Sequence, residues 1–364
     1  MSKLKKRTAS LSLIFMILLT GCSPFVENNT IEEIAPVTFW SVRSGENDQV
    51  ILSTLTPPLL KEKKRVITMQ VDLLKQGSKN FNLNYYREIK SGQVRMLIIS
   101  EDFAKKGITF LINTLLADPD ISQRIYLVVV NGNFDEYLQN QLEQEENIDY
   151  YLYRMLKHYE ENDQGEITIA NLHEYKNKLY TSYSDPILPV FKIEDDNFKY
   201  DGTGIFRNDK LLYTLSYLED QIYQIIDNNY YLKFLPLSSF SAVLGQVRSD
   251  VKIDLNSSSD ILSLNVKLHA RLEEYRGDKN LFNEKELTTL TNELEAYFEK
   301  QTKELIKKLQ DLEADPIEIG KRIKTPFTKP PTEKEWLQKW GKMKVEVNYQ
   351  LDIEPLTNMK NEKE

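Results

Sequence analysis

The sequence predicts a multi-domain α+β protein, with a mixed N-terminal sheet carrying helices and a largely antiparallel C-terminal sheet covered by a long helix. Three observations predict it. The apolar runs Val94–Ile99 and Ile125–Val130 each lead into a segment of helical period, the pattern of a right-handed strand–helix–strand crossover. Leu262, Leu264, Val266, Leu268 and Ala270 alternate with Ser263, Asn265, Lys267, His269 and Arg271, so one strand face is apolar and the other polar. Leu287, Leu290, Leu294, Phe298, Leu305, Leu309 and Leu312 recur every three or four residues except across Gln301, which makes one apolar stripe on a helix from about Glu284 to Leu312.

The chain opens on Lys3, Lys5, Lys6 and Arg7, continues through the apolar run Leu11–Leu19, and reaches Leu19-Thr20-Gly21-Cys22. That is an export-signal layout. An apolar stretch of about nine residues falls short of the ~20 that a spanning helix needs. A bulky apolar residue and two small ones before a cysteine form a lipobox. Cleavage between Gly21 and Cys22, with diacylglycerol in thioether linkage on the Cys22 thiol, is therefore expected, and at least two acyl chains hold a membrane stably. Cys22 is the only cysteine in 364 residues, so the exported body has no disulfide and depends on packed cores.

Removal of residues 1–21 takes four of the 47 basic residues and leaves 43 against 55 acidic ones. A net negative surface is a poor binder of nucleic acid and is repelled by anionic lipid, so the lipid is the expected membrane contact. Ser23–Ile34, with Glu27, Asn28, Asn29, Glu32 and Glu33, reads as a solvated tether.

Val37–Val42 and Val50–Leu55 read as a hairpin turned by Ser44-Gly45-Glu46-Asn47. Pro57-Pro58 ends its second strand, Val66–Leu74 is a third extended or mixed segment, and Gly77–Asn84 is a polar stretch. Ser100-Glu101-Asp102 starts a helix marked by Phe103, Ile108, Leu111, Ile112 and Leu115, and Asp118-Pro119 closes it. Asn131-Gly132-Asn133 turns into a second helix, Phe134 to about Tyr159.

The expected domains are the signal peptide 1–21, an N-terminal α/β region 22–197 with room for two subdomains, a C-terminal α+β domain 198–358, and a polar tail 359–364. In the C-terminal part, Gly202–Phe206, the turn Arg207-Asn208-Asp209-Lys210 and Leu211-Leu212-Tyr213 form a hairpin by composition, and Leu218–Ile226 a short helix. Val251, Ile253 and Leu255 alternate in a strand that turns through Ser257–Ser259, and Val345, Val347, Tyr349, Leu351 and Ile353 alternate in the last strand.

No catalytic or metal constellation is legible. His158, His173 and His269 are scattered without ligand spacing, and Gly-x-Ser-x-Gly is absent. Gly202-Thr203-Gly204 lacks the third glycine and the lysine of phosphate-cradling loops, and reads as a tight turn into the hairpin. Trp336 and Trp340 share a helical face, more simply a plug over a sheet edge than a sugar platform. The acidic run Glu143–Asn147 is a solvated helix face. No catalytic residue, cofactor or metal site is assigned.

Several segments, in order, resemble the spore germination receptor C-subunit family, the Ger(x)C lipoproteins of endospore-forming bacteria. They are the lipobox at Cys22; Ile31-Glu32-Glu33-Ile34-Ala35; Val94–Glu101 with Ala104 and Gly107; and Leu115-Leu116-Ala117-Asp118-Pro119. Farther on come Gly202–Phe206 with Asp209-Lys210-Leu211, the strand ending in Glu273, the helix leading to Leu309-Gln310, and Trp340 with the closing strand. Two departures stand out. After Ala35 the family's small-residue strand ending in Gly-Ile-Asp is replaced by Pro36–Trp40, and its Asp-x-x-Gly-x-Gly turn reads Asp315-Pro316-Ile317-Glu318-Ile319-Gly320, with Glu318 at the first glycine.

The resemblance implies a non-enzymatic subunit of a nutrient germinant receptor, built of several α/β modules. It would be held by its lipid on the outer face of the spore inner membrane beside the A and B membrane subunits, and would act in assembly and signalling. The competing class is a solute-binding lipoprotein of an uptake system, for which two similar lobes about a hinge are expected.

Overall fold

The computed structural model describes residues 32–354 except 48, 59–62, 143–147, 196, 228–230, 257 and 324–329. The expected signal peptide, the Cys22 lipobox, most of the tether, the acidic run 143–147 and the polar tail lie outside the described residues.

The first unit is an eight-stranded mixed sheet. Its strands are β2 (Phe39–Ser44), β3 (Val50–Thr56), β4 (Arg65–Val71), β6 (Met96–Ser100), β7 (Tyr126–Asn131), β8 (Ile187–Glu194), β9 (Asn197–Arg207) and β10 (Lys210–Thr214). They run in the order β10-β9-β8-β7-β6-β2-β3-β4. The central pairs β2–β6, β6–β7 and β7–β8 are parallel, and the hairpins β2–β3–β4 and β8–β9–β10 complete the edges antiparallel. A short parallel pair, β1 (Ile34–Pro36) and β5 (Glu88–Lys90), flanks it.

Helices cover both faces of this sheet, which explains why Val94–Ile99 and Ile125–Val130 are apolar throughout rather than alternating. Leu97, Ile99, Leu127 and Val129 pack on one side with α1 (Leu74–Asn84), α2 (Glu101–Lys106), α3 (Thr109–Leu116) and α6 (Leu172–Tyr180). Met96, Ile98, Tyr126, Val128 and Val130 pack on the other with α4 (Phe134–Leu142) and α5 (Ile148–Glu161).

Two helices depart from expectation. Leu74–Asn84, read as the end of an extended segment and a polar stretch, is the helix α1. Its N-cap, Leu73, makes no side-chain cap bond, and the helix is held by buried Leu74 and Phe81, the latter against Trp40 at 5.3 Å. The helix starting at Ser100 is two helices. Ser100 caps α2 by accepting from Phe103 N, but Gly107 at φ 117° ends it, and Asp209 of the β9–β10 turn accepts from Thr109 N to start α3.

The second unit is a four-stranded sheet, β11 (Leu232–Leu237), β12 (Ala242–Leu255), β13 (Ile261–Tyr275) and β14 (Lys344–Glu354), in that order. β11–β12 and β12–β13 are antiparallel, whereas β14 pairs parallel to β13 over Ile261–Arg271. The stripe of α8 (Glu284–Asp311) covers one face through Leu290, Leu294, Phe298, Leu305 and Leu309. Where the leucine pattern skips Gln301, Thr302 is fully buried and its hydroxyl lies 2.8 Å from the Tyr349 hydroxyl of β14. Glu295 and Glu299 of α8 accept from Leu351 N and Tyr349 N, so side chains occupy backbone donors on the outer edge of β14.

The hairpin expected within residues 198–358 is built into the first sheet, β9 pairing with β8 from Asn197 to Ile205. The reading of Gly202-Thr203-Gly204 as a tight turn is corrected: the segment is the interior of β9, with a bulge opposite Val190 and Phe191. At Gly202, φ is 150° and an added Cβ would meet Leu215 O at 2.2 Å, so the glycine permits a close backbone crossing.

Candidate functional site

The described features that concentrate buried charge and cavity volume lie at the junction of the two sheets. After α8 the chain makes a tight turn, Ala314–Gly320, into the single-turn helix α9 (Ile319–Arg322). Asp315 builds this turn by accepting from Ile319 N at 2.9 Å and Gly320 N at 2.7 Å. Glu318, at the position of the family's first glycine, has φ 60° and ψ 35°, the left-handed conformation that glycine adopts without strain. Its carboxylate accepts from Ser184 Oγ at 2.7 Å and pairs with Lys321 at 2.6 Å, contacts a glycine could not make. These partners hold its carboxyl below the ordinary value against the opposing effect of burial.

The turn is joined to the first sheet by Asp185, which accepts from Asp315 N at 2.7 Å and from Arg207 of β9 at 3.0 Å. Arg207 reaches on to Glu333 of α10 (Glu333–Trp340) at 2.7 Å. Burial, with the Asp185 and Glu318 charges adding to it, pushes the Asp315 carboxyl up to about 7 despite its two backbone donors. Trp336 and Trp340 of α10 are both buried and stack at 5.8 Å, with Trp340 Nε1 donating to Ala314 O. They are therefore packing residues beneath the turn rather than an exposed sugar platform.

A buried polar chain ties α7 (Tyr217–Asp227) to β9. Gln224 Nε2 donates to Thr168 Oγ1 at 2.7 Å, Thr168 is hydrogen-bonded to Thr203, and Thr203 and Tyr200 donate to the two oxygens of Asp220. Because the Thr203 proton goes to Asp220, Thr168 is the donor to Thr203, and the bonds run in one direction. Burial pushes the Asp220 carboxyl up to about 6, with the donated bonds opposing.

Between α6, α7 and the 315–318 turn lies a cleft of about 290 Å³, walled by Thr168, Tyr175, Lys178, Tyr223, Gln224, Asp227 and Glu318 among others. Lys178 Nζ crosses to Pro316 O at 3.0 Å.

The histidines stand apart: His158 beside Asn162, His173 beside Asn177 and Gln123, and His269 3.1 Å from Asp352 on the exposed sheet face. Among the described residues no three His, Cys, Asp or Glu side chains cluster to hold a metal, and no helix is long and apolar enough to cross a membrane. The two sheets differ in size and strand order, unlike the paired similar lobes expected of a solute-binding protein.

Residues 27–193 match the model of the spore germination protein N-terminal domain, and residues 201–355 match that of the spore germination B3/GerAC-like C-terminal family. The chain belongs to the GerAC family of spore germination proteins. It is 24% identical over 268 residues to spore germination protein GerQC of Bacillus cereus, covering 72% of this chain and 71% of that one. Its fold is similar to that in the crystal structure of the GerBC protein, with a TM-score of 0.51 and 15% identity over 87% of this chain and 97% of that chain. It is a germinant receptor subunit of the GerC type.

In this GerC-type chain, the site residues expected from sequence, Gly21 and Cys22, lie outside the described residues. The 315–320 turn shows in the sequence only as a departure from the family pattern. The cleft has no sequence signature, because its walls come from segments near residues 170, 224 and 317 that no local pattern connects.

Proposed function

We propose that the mature chain is a lipid-anchored, non-enzymatic subunit that acts in assembly and signalling of a nutrient germinant receptor. Diacylglycerol on Cys22 would hold it on the outer face of the spore inner membrane, beside the A and B membrane subunits. The observation that carries the reading is the combination, in one chain, of the Leu19-Thr20-Gly21-Cys22 lipobox with matches to both spore germination domains. The two-chain lipid raises the concentration of the subunit near membrane partners without requiring a spanning helix.

Mass spectrometry of the membrane-extracted protein tests the anchor. A mature N-terminus at Cys22 carrying a diacylglycerol mass is expected, and Cys22→Ala should move a folded, unlipidated chain into the soluble fraction. An unmodified Cys22 in a chain that still sediments with the membrane would remove the lipid from the account.

A further inference from the structure

The lipid anchor and the fold together single out one face of the first unit. Residues 22 and 32 are ten positions apart, so the chain between them spans at most about 35 Å. A compact body of this length has a radius of gyration of about 20 Å and is about 50 Å across. A tether of that reach cannot pass round the body, so the face around β1 is held nearest the bilayer.

Arg87 fixes this face. It is 2% exposed and donates to Ile34 O of β1 at 2.7 Å and to Pro57 O, just beyond β3, at 2.9 Å, while Glu88 N donates to Glu33 O at 2.7 Å. Leu83 and Tyr86, close to Arg87 in the chain, are 74% and 62% exposed. The Tyr85 ring lies 4.9 Å from that of Tyr86 and has the Arg65 guanidinium over it at 5.6 Å. Arg65 pairs with Thr56 in the β3–β4 ladder, so Lys63, Lys64 and Arg65 enter β4 beside Pro57. Tyrosine rings with an apolar body and a polar tip, next to long basic side chains, suit the headgroup level of a bilayer.

The local charge favours anionic lipid. Among the described residues of this face, Lys63, Lys64, Arg65, Arg87 and Lys90 stand against Glu32, Glu33 and Glu88, and Glu88 is paired with Lys90 at 3.0 Å. The chain's overall negative charge does not cancel this excess, because physiological salt screens charges more than about 8 Å away.

We propose that this face, Leu83, Tyr85 and Tyr86 with the Lys63–Arg65 segment, beds in the headgroup layer of an anionic bilayer and fixes the orientation of the body over the membrane. The inference deepens the lipid-anchor reading and rests on it for the nearness of the bilayer.

The test uses the full mature lipoprotein reconstituted on vesicles of equimolar phosphatidylglycerol and phosphatidylcholine. With the Cys22 sulfur in thioether linkage, Leu83→Cys and Phe234→Cys each offer a spin label one free thiol. Phe234 is the matched control, an exposed aromatic on β11 of the second unit with Lys233 over its ring at 5.6 Å. The label at 83 should be shielded from a water-soluble nickel chelate and accessible to oxygen, while the label at 234 stays open to nickel. Lys63→Gln with Arg65→Gln should lower the ratio of docked to undocked body about twenty-fivefold, about fivefold per charge, and so abolish the shielding. Vesicles of phosphatidylcholine alone should do the same. Intact mass keeps the two readings apart. A chain without acyl groups fails the anchor alone, and the labels are then read on the Cys22→Ala chain mixed with the vesicles, where shielding at 83 upholds the face and its absence overturns it. In the lipidated chain, equal nickel access at 83 and 234, or shielding unchanged by the two glutamines, would overturn the proposal. Shielding already present without vesicles would assign the face to a second copy of the chain and overturn it as well.

Discussion

Replacing Arg207 by methionine isolates the electrostatics that join the 315–320 turn to the first sheet. Asp185 is 2% exposed, and its side chain accepts from Arg207 and from the backbone N–H groups of Asp315 and Asn208, so losing the guanidinium leaves a buried carboxylate beside Asp315 with no cation. Breaking a buried pair from one side costs about 3–5 kcal/mol. Arg207 keeps 18% of its side chain exposed, and water reaching the vacated space places the expected loss near the lower end, about 3 kcal/mol at pH 8.

The loss should shrink on acidification. Asp315 already prefers its proton in the folded chain, about 7 against 3.8 for the ordinary group, so its ionisation penalty is absent below 3.8 and fully present above about 7. Removing the cation strengthens that preference, hence the folded variant takes up protons as pH falls and recovers stability relative to wild type. Urea unfolding of both proteins at pH 5, 6, 7 and 8 measures this. Glu333→Gln is the control: its side chain is 54% exposed, and surface pairs contribute about 0–1 kcal/mol. Equal losses for Arg207→Met and Glu333→Gln, or a deficit that grows toward acid, would refute the reasoning.

Three further outcomes are expected. Thr302→Val should cost about 1–3 kcal/mol in urea unfolding because it strands the buried Tyr349 hydroxyl, while Thr302→Val with Tyr349→Phe should return close to wild type. Gly202→Ala forces a Cβ against Leu215 O at a φ of 150° and should lower stability by at least about 2 kcal/mol by thermal unfolding, whereas a surface alanine would be near neutral. Glu295→Ala with Glu299→Ala frees two donors on the edge of β14 and should raise concentration-dependent association in sedimentation velocity, with the monomer's far-ultraviolet dichroism unchanged.

What the sequence made legible follows from how local each cause is. The β13 alternation is legible because every second residue, Leu262 to Leu272, meets α8 or its neighbours, and the two-sided burial of β6 and β7 shows as unbroken apolar runs. α1 was illegible because Gly77, Ser78, Asn80 and Asn82 weaken its propensity and Leu73 offers no cap, leaving tertiary packing of Phe81 to impose the helix. The break at Gly107 depends on Asp209, a hundred residues away, and Thr302 fills the gap in the leucine stripe only because Tyr349 reaches it. At the junction, Asp185, Arg207 and Asp315 are brought together across 130 residues, so no spacing rule could connect them, although the Asp315–Gly320 pattern did mark where the backbone turns left-handed.

The central claim is that this chain serves a germinant receptor from the membrane surface. Nutrient-triggered dipicolinate release from spores lacking the chain, complemented with wild type or with Cys22→Ala at matched abundance, tests it most directly. The account predicts that loss blocks release for at least one nutrient and that wild type alone restores it. Normal release from the deleted spores with every nutrient tried, in a background without other germinant receptors, would contradict it.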